Sequence, residues 1–259
     1  MDKIDHRKHY VLVVDTETAN TMDGPNGKPD MSNVLVYDCG WQVVDTHGNV
    51  YVEKSYVNSD IFDHEKDLMQ SAFYAKKIPK YLKDLEEGRR VRATTYWIHK
   101  DMLADMARYN IKEVAAHNAR FDLNALNNTL RYVTKSRFRY WFPYGTKIWC
   151  TMRMATSVIC KMATYIAFCK ENGYLTATGK VKKTAEILWR FISGNINFSE
   201  SHTGLEDVKI ESQIMAYCFR QHKTIDKELF KNQIDREPPT AFQRAFSQSM
   251  RECPVLAGF

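Results

Sequence analysis

Hydrophobic residues near the N-terminus fall in short, β-branched runs. Tyr10-Val-Leu-Val-Val14 is continuously apolar and leads straight into Asp15-Thr16-Glu17. That pattern predicts a strand buried on both faces that ends in acidic residues. Asp23-Gly-Pro-Asn-Gly-Lys-Pro29 marks a loop, because its Gly, Pro and Asn favour turns. Val34 to Val44 and Asn49 to Val57 are β-rich runs separated by Asp45-Thr-His-Gly48, which predicts a hairpin.

From Asp63 to about Asn110 the rhythm changes to the i, i+3/i+4 spacing of helices. Leu68, Met69, Ala72, Phe73 and Lys76 follow it, as do Met102, Leu103, Met106 and Tyr109, after a Thr94 or Thr95 cap. Val114-Ala-Ala116 is a short inner-strand candidate. A helix is expected from about Ala119, carrying Phe121, Leu123, Leu126 and Leu130. Another covers Lys183 to Ile192, with Ile187, Leu188 and Phe191 on one face. A long one runs from about Gly204 to Phe230, with Leu205, Val208, Ile214, Met215 and Cys218 inward. Strands followed by interleaved helices predict an α/β domain with a mixed sheet. Arg236-Glu-Pro-Pro239 breaks any helix and opens a weakly patterned tail.

Composition narrows the class. At 259 residues, 44% hydrophobic and 26% charged, the chain has the make-up of a globular protein and can bury a sizeable core. No apolar run approaches the roughly 20 residues of a membrane span. Met1 to Tyr10 is polar, with no signal-peptide h-region, so a cytoplasmic protein is expected. The six cysteines, Cys39, Cys150, Cys160, Cys169, Cys218 and Cys253, form no C-x-x-C pair and no zinc-finger spacing. Most lie among apolar neighbours and read as core residues. The net charge of +6 agrees with an anionic partner without establishing one.

Three acidic clusters carry the chemistry. Asp15 and Glu17 are two residues apart on a strand, so both side chains point to one face. Carboxylates that close repel, and a hard divalent cation relieves the repulsion. Taken alone, the pair is better explained as a strand that simply ends in a polar turn. His117-Asn-Ala-Arg-Phe-Asp122 follows an inner strand and opens a helix, which places Asp122 in the first turn. A helix start with Asn118 as N-cap explains an acid there but not the whole hexapeptide. His202-Thr-Gly-Leu-Glu-Asp207 begins the last long helix. Five residues span about 500° of helix, so His202 belongs on the loop leading in and Asp207 one turn inside. Glu206 and Glu211 flank Asp207, and only spacing selects Asp207 over them.

D-x-E on the first strand, H-N-x-x-F-D at a helix start and H-x-x-x-x-D opening a late helix together resemble the three motifs of the DEDDh branch of 3′→5′ exonucleases. That branch includes polymerase proofreading subunits, RNase T and oligoribonuclease. The resemblance spans Tyr10 to about Tyr217. It implies an RNase H-like mixed central sheet flanked by helices. It also implies an exonuclease domain over residues 1–235, with a loop at 20–33, a helical insertion at 63–110 and a tail at 236–259. The implied activity is release of 5′-mononucleotides from 3′ ends. Asp15, Glu17, Asp122 and Asp207 would bind two Mg²⁺ or Mn²⁺ ions, and His202 would be the general base. Thr18-Ala-Asn20 departs from the T-T/S-G that follows D-x-E in many relatives, and Gly204 stands where many have Ala.

Candidate substrate contacts are Thr18, Asn118 and Phe121 in the motifs, and Arg137, Arg139 and Lys147 in the basic, aromatic stretch from Arg131 to Arg153. Aromatics there can stack on bases while cations meet phosphates. The competing reading makes Trp141, Phe142 and Trp149 core, and it is preferred for most of the aromatics. Lys182 and Lys183, with Val181, are a second candidate for guiding a strand. Single-stranded DNA is favoured over RNA. A silent nucleic-acid-binding module and a polymerase-associated subunit remain as alternatives. The tail's Phe242, Phe246, Val255, Leu256 and Phe259 would dock a replication partner in the latter, against a slightly preferred flexible terminus.

Overall fold

A computed structural model describes residues 4–20, 22–23, 29–70, 72 and 75–230. Phe73, Cys253 and the whole 236–259 tail, with the docking role expected of it, lie outside the described residues, as does most of the Asp23 to Pro29 loop.

The first three long strands form a meander. β1 (Tyr10–Ala19) pairs antiparallel with β2 (Leu35–Asp45), and β2 pairs antiparallel with β3 (Val50–Asn58). The hairpin turn is built as its residues predict. Gly48 has a φ of 90°, and the Asp45 carboxylate accepts from the backbone N–H groups of His47 and Asn49. β4 (Val91–Ala93), β5 (Glu113–Ala116), β6 (Lys147–Cys150) and β7 (Glu228–Phe230) complete a seven-stranded sheet in the order β4-β3-β2-β1-β5-β6-β7. β1, β5 and β6 run parallel to one another, so the sheet is mixed.

Period 2 along β1 divides the core. Leu12 and Val14 face one layer, with Ile98 and Met102 of α4 (Thr95–Arg108) and Leu126 of α5 (Arg120–Thr134). Val11 and Val13 face the other, with Leu188 of α8 (Ala185–Ser193) and Val208, Ile214 and Met215 of α9 (Gly204–Arg220). This is an α/β mixed sheet with helices on both faces, as expected. Trp141, Phe142 and Trp149 are buried core residues. Cys39, Cys150, Cys169 and Cys218 are buried thiols.

Several expectations are corrected. The 63–110 segment is not purely helical. It holds α2 (Lys66–Gln70), a 3₁₀ turn at Ala75–Lys77 and α3 (Ile78–Glu86), following α1 (Ser59–Phe62), and it then contributes β4 to the sheet edge before α4. β4 is three residues long and mostly exposed, so it shows no apolar alternation. α6 (Thr151–Ser157) and α7 (Ala163–Glu171) were not anticipated, because α6 is only two turns long and α7 has little separation of apolar and polar faces. α9 stops at Arg220, and Glu228–Phe230 forms β7 against β6.

Candidate active site

Asp15 and Glu17 project from β1 on the face that α9 covers. α9 begins where two glycines meet. A Cβ on Gly40 of β2 would lie 2.5 Å from Gly204 C and 2.6 Å from Leu205 Cα. The helix start therefore rests directly on strand backbone, and its first turn delivers Asp207 to the end of β1. Carboxylate oxygens of Asp15, Glu17 and Asp207 all lie within 4.8 Å of one another. Asp207 Oδ1 is buried and accepts no hydrogen bond. Burial, reinforced by neighbouring acids, raises all three carboxyls: Glu17 to about 9, Asp207 to about 8, and Asp15 well above the usual carboxylate range.

Asp122 approaches β1 from α5, near enough to Asp15 and Glu17 for its charge to help raise both of their carboxyls. Thr16 points opposite to Asp15 and Glu17, toward α5. Its backbone N–H and its hydroxyl donate to Asp122 Oδ1 at 3.2 and 2.9 Å. Burial raises Asp122 to about 7 against these hydrogen bonds. The helix carrying it starts at Arg120, and Asn118 is not the side-chain cap. Asn118 instead adopts a φ of 62°, which its short amide tolerates.

His202 lies on the loop before α9 at a φ of 50°. Lys77, from the 3₁₀ turn of the insertion, donates to the carbonyls of both Ser201 and His202. Nδ1 of His202 is 3.7 Å from Glu200 Oε2. Glu186, Glu200 and His202 form a second group whose ligating atoms fall within 4.8 Å. Burial holds the His202 imidazole below its usual pKa, and the charge of Lys77 adds to this.

These residues line one cleft of about 810 Å³ that contains Asp15, Glu17, Asn118, His202, Asp207 and Glu211. Asp122 is not part of its lining. Thr176 and the residues from Lys180 to Thr184 also line it.

No protein-family model matches the sequence. No curated protein matches it either. Solved structures do. A full-length 3′-exonuclease aligns with a TM-score of 0.50 and 12% identity over 90% of this chain and 68% of that one. A moderately thermophilic exonuclease I from Methylocaldum szegediense aligns with a TM-score of 0.50 and 14% identity over 83% of this chain and 41% of that one. The fold is shared with 3′-exonucleases. The chain spans about two fifths of the length of that exonuclease I.

Not every candidate contact reaches the cleft. Arg137 and Arg139 follow the far end of α5, a 15-residue helix, and so lie about 22 Å beyond its start at roughly 1.5 Å per residue. Lys147 begins β6, pairs in register with Glu113 at the start of β5, and bonds its carboxylate at 3.3 Å. The site is at the other end of these parallel strands. Thr18 is buried in the β1–β2 ladder, and Phe121 packs against the core.

Further residues lie in or beside the site. Glu206 and Glu211, indistinguishable from Asp207 by chemistry, now separate. Glu206 accepts from Arg90 and from Thr203 Oγ1. Glu211 is buried, lines the cleft and accepts from the His117 backbone N–H at 3.0 Å. It stands four residues after Asp207, so the i, i+4 rule could have placed it on the same face. His117 itself lines the cleft. Burial lowers its pKa to about 4, so it is neutral near pH 7.

Proposed function

We propose that this chain is a metal-dependent 3′→5′ exonuclease that releases 5′-mononucleotides from nucleic acid, with single-stranded DNA favoured over RNA. The observation that carries the reading is the convergence of Asp15, Glu17 and Asp207 around a buried, unpartnered Asp207 oxygen. Three mutually repelling carboxylates with an orphaned oxygen suit a hard cation, and Mg²⁺ or Mn²⁺ prefers such donors. Two bound ions would stabilise charge on the attacking and leaving oxygens of a phosphodiester.

The chain's own groups have distinct roles in this reading. Asp15, Glu17 and Asp207 hold the metal ions. Asp122 is the fourth ligand, oriented by its two bonds from Thr16. His202 Nε2 takes the proton of the attacking water while Nδ1 faces Glu200. Its lowered pKa keeps the imidazole neutral, as a base requires. α9 presents Asp207 in its first turn, where the helix dipole favours a carboxylate.

The test uses 5′-labelled single-stranded DNA and RNA of matched sequence, with Mg²⁺ or Mn²⁺. A ladder shortening from the 3′ end is expected. EDTA, Asp15→Ala and His202→Ala should each suppress it, and the faster substrate identifies the preferred sugar. Intact binding without cleavage of either strand would leave a silent nucleic-acid-binding module as the better reading.

A further inference from the structure

The cleft that holds the acids also has a cationic, hydrogen-bonded part to its lining. Residues 174–183 fold back on themselves through a Leu175–Val181 bridge. Thr176 N–H donates to the Lys180 carbonyl at 2.7 Å, Lys180 N–H donates to Thr176 Oγ1 at 3.1 Å, and Lys182 N–H donates to the Tyr174 carbonyl at 2.9 Å. Two side chains from the core then pin the returning arm. Tyr165 OH donates to the Lys182 carbonyl at 2.7 Å. His117 Nε2 lies 2.9 Å from the Lys183 carbonyl, so this nitrogen carries the proton. Nδ1 then accepts from Thr151 Oγ1 at 2.9 Å.

The backbone is thereby fixed while its cations stay in solvent. Lys180, Lys182 and Lys183 are exposed and line the cleft. No carboxylate among the described residues forms an ion pair with any of them, although Asp15, Glu17, Glu200, Asp207 and Glu211 line the same cleft. Lys180 and Lys182 are two residues apart on an extended arm, roughly 6.6 Å at about 3.3 Å per residue. That separation suits successive phosphates of an extended single strand. Among the described residues no Phe, Tyr or Trp lines the cleft, so this part of the lining offers charge and not base stacking.

We propose that the 174–183 hairpin is the phosphate track of the enzyme. Lys180, Lys182 and Lys183 bind the backbone phosphates upstream of the terminal nucleotide, without regard to base sequence. The proposal rests on the exonuclease reading and assigns the strand-holding role to this hairpin instead of the distant Arg137, Arg139 and Lys147.

The experiment compares the wild type with a Lys180→Ala/Lys182→Ala/Lys183→Ala variant and a matching triple Lys→Arg variant. Two substrates are used with Mn²⁺: a labelled single-stranded oligodeoxynucleotide, and thymidine 5′-(p-nitrophenyl phosphate), which has one phosphodiester and no upstream backbone. With the alanine variant, KM for the oligonucleotide should rise about tenfold or more. Its log–log salt dependence should flatten by roughly 2, since each lost single-strand phosphate contact removes about 0.7. Hydrolysis of the nitrophenyl ester should be retained, and the arginine variant should restore the oligonucleotide KM. An unchanged KM and salt slope overturns the track, and so does an equal loss on both substrates. If the wild type cleaves neither substrate, the exonuclease reading fails on its own. Fluorescence anisotropy of the oligonucleotide in EDTA then decides the track separately: weaker binding by the alanine variant supports it, and equal binding overturns it.

Discussion

Gly40 of β2 and Gly204 at the start of α9 meet backbone to backbone. A Cβ at Gly204 would meet the Gly40 N at 2.8 Å, the Asp15 carbonyl oxygen at 3.2 Å and the Cys39 C at 3.4 Å. Gly40 is more tightly enclosed, by atoms of Gly204 and Leu205 that cannot rotate away. This contact sets how close Asp207 comes to Asp15 and Glu17. Gly40→Ala should cost about 3 kcal/mol, at the upper end for overpacking, and Gly204→Ala less. Thermal unfolding orders the two variants. Mn²⁺ affinity by calorimetry should fall in the same order if the contact positions the carboxylates.

A second device fixes the same helix from the insertion. Arg90 is almost fully buried and donates to both Asp38 oxygens at 3.0 and 3.1 Å, while its other arm reaches Glu206 at 3.1 Å. Asp38, also buried, accepts from Tyr81 OH at 2.6 Å and from the Gly204 N–H at 3.0 Å. Arg90→Met should therefore cost about 3–5 kcal/mol, because it strands a buried carboxylate. Arg90→Met/Asp38→Asn should recover part of that. Arg90→Lys should not rescue, since one ammonium cannot span Asp38 and Glu206 as the guanidinium fork does. Equal stability of wild type and Arg90→Met in urea would refute the argument.

The carboxylate cluster makes stability depend on pH in an unusual direction. Glu17, raised to about 9, and Asp207, raised to about 8, retain protons in the folded protein that the unfolded chain releases near pH 4. Burial is the main cause, and neighbouring acids add to it. The folded state thus binds more protons across this window, so metal-free stability is fully present below the ordinary carboxylate range and is lost as pH rises through about 8 to 9. The loss should be on the order of a few kcal/mol. Asp207→Asn should flatten the dependence and raise the melting temperature of the metal-free protein at pH 8. Mn²⁺ should raise the melting temperature more at pH 8 than at pH 5.5. A metal-free protein that grows more stable from pH 5.5 to 8 would contradict the cluster.

Much of this was legible in one chain, for identifiable reasons. The run from Tyr10 to Glu17 carries both its burial and its facing, because period 2 is strict within a strand. Asp207 could be chosen over Glu206 only by motif spacing, and the structure supplies the physical distinction in the Arg90 partner of Glu206. The motif alone marks Gly204 as a departure, whereas the reason for a glycine there is its backbone contact with Gly40, far away in sequence. Arg137 and Arg139 lie past the end of α5 and do not line the cleft, a placement that a basic stretch in the composition does not encode. Lys180 was overlooked and Lys182 and Lys183 were noted only in passing. The role proposed for them rests on the fold of residues 174–183, which brings them into the cleft lining, and no local pattern encodes that placement.

Lys77 and His202 provide the remaining test of the chemistry. Lys77 donates to the carbonyls of Ser201 and His202, and its charge joins burial in lowering the His202 pKa. A general base acts when neutral, so the acid limb of kcat/KM should fall below the ordinary histidine value of about 6.5. His202→Ala should lose about 10²- to 10⁴-fold in kcat, the usual contribution of a general base, and the limb should vanish. Lys77→Met removes a cation near the imidazole, which raises the His202 pKa and moves the acid limb to higher pH. It also frees the loop, so kcat at the plateau should fall too. Lys77→Arg should keep the limb where it is. A Lys77→Met enzyme with a lower plateau but an unmoved limb would mean that Lys77 anchors the loop and has no electrostatic hold on the base. A limb that survives His202→Ala would take the base role away from His202.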